Sequence, residues 1–172
     1  ELWIQDLPPA SSVGFEVTRP EIYYGELTDR YVFVKTGAEE FDYPQGDQNV
    51  YATYDGKGGV LLDGFAKKAL FAMHFGSLDI MLSQYLLPDS RVMLRRSIDD
   101  RPRQITPFLA YDGDPYLVTA DGRLVWMIDA YTLSDRYPYS EPYARNDRWG
   151  RFNYVRNSVK VVIDAYDGTV DY

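Results

Sequence analysis

Polar and apolar positions alternate most cleanly in two stretches near the C-terminal end. In residues 123–132, Leu124, Trp126, Ile128 and Ala130 fall on one side, and Val125, Met127, Asp129 and Tyr131 on the other. In residues 157–166, Val159, Val161, Ile163 and Ala165 fall on one side, and Lys160, Val162, Asp164 and Tyr166 on the other. A period of two sends successive side chains to opposite faces of a strand. Both stretches are therefore predicted as strands sharing an Asp/Tyr side. Both contain Ile-Asp-Ala-Tyr, at 128–131 and 163–166, and Ala-Tyr-Asp-Gly recurs at 110–113 and 165–168. Asp-Gly at 112–113, 121–122 and 167–168 marks turns. These echoes predict β-hairpins of one sheet, with strands at 108–111, 115–119 and 169–172 and a loop at 133–153.

Upstream, residues 31–36 are β-branched and aromatic and predict a strand. Shorter strand signals stand at 2–4 and 13–18. Residues 37–60 are dense in Gly, Asp, Asn and Pro and predict a long loop. The period then changes. Ala66, Ala69, Leu70 and Met73 share one helical stripe, which Ile80, Met81 and Gln84-Tyr85 continue. Ser77 is placed to cap a second helix, and Asp89 or Ser90 a third over 91–101, with Pro102 closing it. The fold class is α+β: an antiparallel sheet built from hairpins, with a helical insert over about 64–101.

The 172 residues predict one domain. The chain begins at Glu1 without Met and stops inside a strand pattern, which reads as a piece of a longer polypeptide. A net charge of −8 argues against nucleic acid, which demands clustered Lys and Arg. It also argues against adhesion to an anionic membrane surface. Zero cysteines exclude disulfides, Cys-ligated zinc and thiol nucleophiles. No apolar run approaches the roughly 20 residues of a spanning helix, so no lipid insertion is expected from this stretch. Sixteen tyrosines suit either a sheet-rich core or a gripping surface.

The blocks Asp114–Val118 (DPYLV), GRLVWMIDAYT from Gly122, SDRYPYSEP from Ser134 and NYVRNSVKVVIDAYDG from Asn153 resemble an uncharacterised protein family (UPF) of large bacterial multi-pass membrane proteins. PEIYYGE from Pro20 and EFDYP from Glu40 belong to the same resemblance. It implies part of an extracytoplasmic region, on the outer side of the cell membrane, with the membrane helices elsewhere. It carries no reaction and no catalytic residues.

Four sets of side chains are candidates for chemistry. Asp112, Asp114, Asp129, Asp135, Asp164 and Asp167 offer hard oxygens for Ca²⁺. Asp112-Gly113-Asp114-Pro115 lacks EF-hand spacing, however, and Asp112, Asp121 and Asp167 read more plainly as turn residues. Asp129 and Asp164 lie inside strands, where Asp is disfavoured and calls for a partner. Set side by side, they would form a carboxylate pair with split pKa values. Arg91, Arg95, Arg96, Arg101 and Arg103 suit an anion, with Arg91 and Arg95 one helical turn apart, or pair with the surplus acids. Asp135, Arg136, Tyr137 and Tyr139, with Tyr131 nearby, form an aromatic and charged loop suited to stacking on sugars or gripping a peptide. Its plainer reading is a proline-stiffened crossover. The single histidine, His74, rules out a two-histidine zinc site, and Gly56-Lys57-Gly58-Gly59 lacks the phosphate-loop pattern. No cofactor is expected. The function expected is a non-enzymatic extracytoplasmic binding module, the alternative a carboxylate-based or metal-assisted hydrolase of envelope material. Binding rests on Asp129, Tyr131, Asp135, Arg136, Tyr137, Tyr139 and Asp164. The partners are the remainder of its own chain and membrane or envelope components.

Overall fold

The computed structural model describes residues 4–5, 10–11, 17–45, 47–143 and 149–172. In chain order its elements are β1 (Ile4–Gln5), β2 (Ala10–Ser11), β3 (Val32–Val34), β4 (Glu40–Gln45), β5 (Gln48–Ala52), β6 (Val60–Leu61), α1 (Phe65–Phe75), α2 (Asp79–Leu82), β7 (Arg91–Met93), α3 (Asp100–Ile105), β8 (Ala110–Tyr111), β9 (Tyr116–Ala120), β10 (Arg123–Ser134), β11 (Tyr154–Asp164) and β12 (Val170–Asp171). The class is α+β, with every described strand pair antiparallel.

The long β10–β11 hairpin anchors a five-stranded sheet ordered β12-β11-β10-β8, with β9 beside the start of β10. A three-stranded sheet, β3-β7-β6, lies between it and the helices. Alternation along β7 explains this layering. Met93 joins a core with Ile128, Val161 and Ile163 of the large sheet, while Val92 joins Leu62, Phe71, Ala72 and Ile80 toward the helices. Both are fully buried. Strand β3 splits likewise, with Val34 in the first core and Phe33 against the second. The link between sheets is the stretch 18–25. Thr18 N and Arg19 N donate to Gly122 O, Tyr23 N and Tyr24 N to Ala165 O, and Gly25 N to Arg96 O.

Several sequence expectations change. The stretch 91–101 is no helix: Arg91–Met93 is a strand, and α3 begins at Asp100. Two adjacent fully buried residues there serve two cores, which only an extended chain allows. Pro102 does not end a helix but sits in the first turn of α3, where no intrahelical N–H bond is lost. Neither Ser77 nor Asp89 caps a helix. Ser90 is buried, donating from Oγ to Lys35 O and accepting from Leu87 N. The 37–60 loop contains the β4–β5 hairpin, where Phe41 faces Tyr51 and Tyr43 faces Val50. Pro44 is tolerated because the hairpin is a separate two-stranded sheet with open edges.

The stripe of Ala66, Ala69, Leu70 and Met73 is real but faces outward. Phe71 and Ala72 are the side of α1 that packs, while Leu70 is 59% and Met73 78% exposed. At the N-terminus, Ile4 lies in β1 and Val17-Thr18 in no strand; the rest of the two early strand expectations falls outside the described residues. The predicted loop 133–153 starts later, because β10 runs to Ser134, and it ends where expected, with β11 starting at Tyr154. Residues 144–148 of it lie outside the described set.

Candidate functional site

Among the described residues, Asn153 makes most of the side-chain bonds that hold the tip of the β10–β11 hairpin. Asn153 accepts from Tyr137 N at 2.9 Å and donates through Nδ2 to Tyr137 O at 2.8 Å and Ser140 O at 3.0 Å. This amide ties residues 137–140 to the start of β11, and Ser140 Oγ donating to Asn153 O adds to it. Tyr137 stacks on Tyr154 with centroids 5.2 Å apart and planes 13° from parallel. Tyr139 has φ +60 and is fully exposed. Behind the tip, Tyr143 pairs with Phe152 through two main-chain hydrogen bonds, and their rings lie 5.5 Å apart. Trp149 continues the row, 6.3 Å from Phe152 and 5.1 Å from Tyr131, and donates from Nε1 to Tyr111 O. Asp135 and Arg136 sit at the tip, exposed and 3.8 Å apart, a pairing worth little in water. The arrangement offers outward ring faces, one acid and one guanidinium on a supported turn. Such a surface stacks on flat or apolar groups and hydrogen-bonds at its rim.

The seven predicted binding residues do not converge. Asp135, Arg136, Tyr137 and Tyr139 share the tip. Tyr131 lies partway down β10, its hydroxyl donating to Asp112 Oδ2 at 3.3 Å. Asp129 is paired with Lys160 at 2.6 Å, and that bond holds its carboxyl below the ordinary value. Asp164 lies at the opposite end. Register places Asp129 opposite Lys160 and Asp164 opposite Val125. The two carboxylates share a face but stand four positions apart, roughly 13 Å by strand rise. No carboxylate pair forms. The twin Ile-Asp-Ala-Tyr segments are offset as well. Ile128 faces Val161, whereas Ile163 faces Trp126. The second copy leaves its strand at Asp164, so Tyr166 turns into the core instead of joining Tyr131 on the polar face.

That departure builds a polar lock that the sequence reading missed. Asp164 Oδ1 accepts from Tyr166 N and Asp167 N, both at 2.8 Å, and its Oδ2 meets Arg123 at 2.8 Å. Asp167 Oδ1 accepts from Tyr54 Oη at 2.5 Å and from Lys57 N and Gly58 N. Burial pushes the Asp167 carboxyl up, but these bonds and Arg123 outweigh it and leave it below the ordinary value. Tyr166 Oη donates to Asp55 Oδ1 at 2.9 Å, and Arg19 grips Asp55 with two nitrogens while lying over the Tyr166 ring. The Asp55–Gly59 loop is thus bolted to the Asp164–Gly168 turn. Asp167 is more than a turn residue; Asp112 is one, with Oδ1 accepting from Gly113 N. Tyr54-Asp55 followed by three glycines in four positions was the available signal.

The rings of Tyr23, Tyr54 and Tyr166 pack together at 4.8–5.2 Å. Burial is the first cause of a raised pKa in each. Glu40 pushes Tyr23 further up and Asp167 does the same for Tyr54, while Tyr166 reaches about 12. A raised folded-state pKa contributes stability below the ordinary 10.0 that is lost as pH climbs through 12. The urea midpoint is expected to hold up to about pH 10 and then fall. Ultraviolet difference spectra should show these three tyrosines ionising together with unfolding. Ionisation of every tyrosine with native circular dichroism retained would contradict the buried cluster.

The arginine set forms no anion site. Arg91 and Arg95 share no helix face, since Arg91 lies in β7. Arg91 donates to the carbonyls of Lys57, Gly58 and Gly59, Arg96 to those of Tyr23 and Arg30, and Arg101 to those of Leu94, Arg95 and Gly168. Arg103 lies over the Tyr111 ring. These guanidiniums staple loops to the sheets instead of meeting the acids. His74 is exposed on α1, edge-on to Phe75. Among the described residues no three acidic or histidine side chains are grouped to hold a metal, and no helix is long and apolar enough to cross a membrane.

Residues 1–172 match the model of a family described as Uncharacterised protein family (UPF0182). A UPF0182 protein of Pelotomaculum thermopropionicum is 49% identical over 170 residues, covering 99% of this chain and 18% of the relative. Relatives in Bradyrhizobium diazoefficiens and Geobacter sp. strain M21 are 50% and 52% identical, with 99% and 100% of this chain covered and 18% and 19% of theirs. No solved structure matches. The chain spans less than a fifth of the length of the relatives it matches.

Proposed function

The chain belongs to the uncharacterised protein family UPF0182, and from that premise we propose that it is a non-enzymatic binding module on the extracytoplasmic side of a bacterial membrane protein. The tip of the β10–β11 hairpin is its contact surface. One observation carries this reading: Tyr137, Tyr139 and Tyr154 present exposed rings on a segment that Asn153 braces through three hydrogen bonds. Holding exposed aromatics in place lowers the entropy lost when a ligand arrives. Aromatic faces beside Asp135, Arg136 and Asn153 match the mixed apolar and hydroxyl surface of envelope glycans. The placement outside the cytoplasm is supported by the sequence blocks that resemble the extracytoplasmic region of large membrane proteins.

The test is titration of soluble envelope glycans against the wild type and against Tyr137→Ala and Tyr139→Ala. Each variant is expected to weaken binding about tenfold, the scale of a lost aromatic contact. The melting temperature of Tyr139→Ala should not move, because its ring is fully exposed. Equal affinity of all three proteins would remove the tip from the account.

A further inference from the structure

Helix α1 is apolar on both faces. Its sequence FAKKALFAMHF has only Lys67, Lys68 and His74 as polar residues. At 100° per residue, Phe71, Ala72 and Phe75 occupy the arc toward the core. Ala66, Ala69, Leu70 and Met73 occupy the opposite arc, while Phe65 stands at the start of the helix beside the Ala72 direction. Phe65 is 75%, Leu70 59% and Met73 78% exposed, and Leu78 just before α2 and Leu82 at its end are 72% and 77% exposed. A surface helix normally turns charge to solvent, and a helix apolar all round is a buried helix. Along its edge a cleft of about 720 Å³ is lined by Leu70, Phe71 and Phe75 on one side and closed by residues that include the charged Asp29, Arg95 and Arg101.

We propose that the outer face of α1 is a docking site for another segment of its own polypeptide, an apolar helix or strand from the part outside residues 1–172. The relatives supply that segment, since more than four-fifths of their length lies beyond the stretch matched here. Size decides against a second copy. Eleven residues at 1.5 Å each make a face about 16 Å long and 10 Å wide, a footprint on the order of 200 Å². A stable association between separate proteins buries about 800 Å² per partner. A tethered segment succeeds with less, because linkage gives an effective concentration in the millimolar range. The net charge of −8 weighs against adhesion to an anionic lipid surface, and because α1 itself carries only Lys67, Lys68 and His74 as polar residues, a lipid adduct is one of the outcomes the test reads. The proposal rests on this segment working inside a longer polypeptide, not on what the hairpin tip binds.

The experiment uses the full-length polypeptide in its own cells, with a benzophenone amino acid at Leu70 or, separately, at Met73. The expected product runs at the mass of a single polypeptide and contains an intrachain cross-link to a peptide outside residues 1–172. A product at twice that mass, a link to another protein, a lipid adduct, or no link at either position would each overturn the proposal. The mass of the intact polypeptide, read on the same gel, separates the two levels of failure. A chain no longer than 172 residues removes the premise of a longer protein; a long chain without the link removes only the docking.

Discussion

Gly168→Ala is expected to destabilise the protein by about 3 kcal/mol, through backbone strain and overpacking together. Gly168 has φ +69, a conformation costing an L-residue roughly 1 kcal/mol or more. A Cβ there would lie 2.5 Å from Cε1 and Cζ of Tyr24. That ring cannot step aside. Tyr24 is 1% exposed, Arg101 lies 4.8 Å from its centroid, and its carbonyl accepts from Trp126 Nε1 at 2.9 Å. Nor can Gly168 move: its N–H reaches Asp164 O and its carbonyl accepts from Arg101 Nε at 2.6 Å. Gly76 is the control. It has nearly the same φ, +66, but nothing within 4 Å of a built Cβ, so Gly76→Ala should cost only the strain, about 1 kcal/mol. Urea unfolding midpoints at a common slope measure both. Equal losses would show that Tyr24 yields and that the turn is not packed as described.

The same contrast between local pattern and tertiary demand explains what was legible in the chain. The strands at 123–132 and 157–166 were readable because one face meets the core and the other does not, so period two survives in the sequence. Strand β7 was not, because its layer is covered on both faces. Val92 and Met93 are apolar neighbours with opposite duties, and the run Arg91–Met93 carries no alternation. Helix α1 defeated the reading in the opposite way. Its most regular stripe is the unpartnered one, and the packing residues Phe71, Ala72 and Phe75 were the less conspicuous set.

For the candidate site, Tyr137 and Tyr139 were visible as an aromatic loop, while Asn153 was not. A lone asparagine gives no periodic signal, and its three bonds exist only once the strands have brought residues 137 and 153 together. The same holds for Tyr54 and Asp167, which meet across 113 residues of chain. Contacts closed by topology leave composition but no spacing to read.

Asp164 is where the two readings of the acidic residues come apart, and its substitutions separate them. As a structural group it does two jobs with two oxygens. One accepts the N–H groups of Tyr166 and Asp167 at 2.8 Å, and the other faces Arg123 at 2.8 Å. Asp164→Asn keeps an oxygen for the turn and loses the charge opposite Arg123. Arg123 is 44% exposed at its side chain, so that loss is small, about 1 kcal/mol. Asp164→Ala removes both functions and leaves two N–H groups without an acceptor in a buried turn, at about 1–3 kcal/mol each. The alanine variant should therefore lose about 3 kcal/mol or more, well beyond asparagine, with the deficit carried by the turn that seats Tyr166 against Tyr54 and Tyr23. A hydrolytic carboxylate predicts the reverse order of interest: little change in stability from either substitution and equal loss of any activity. Urea midpoints of the two variants decide it. An alanine loss no larger than the asparagine loss would detach Asp164 from the turn and reopen a chemical role for it.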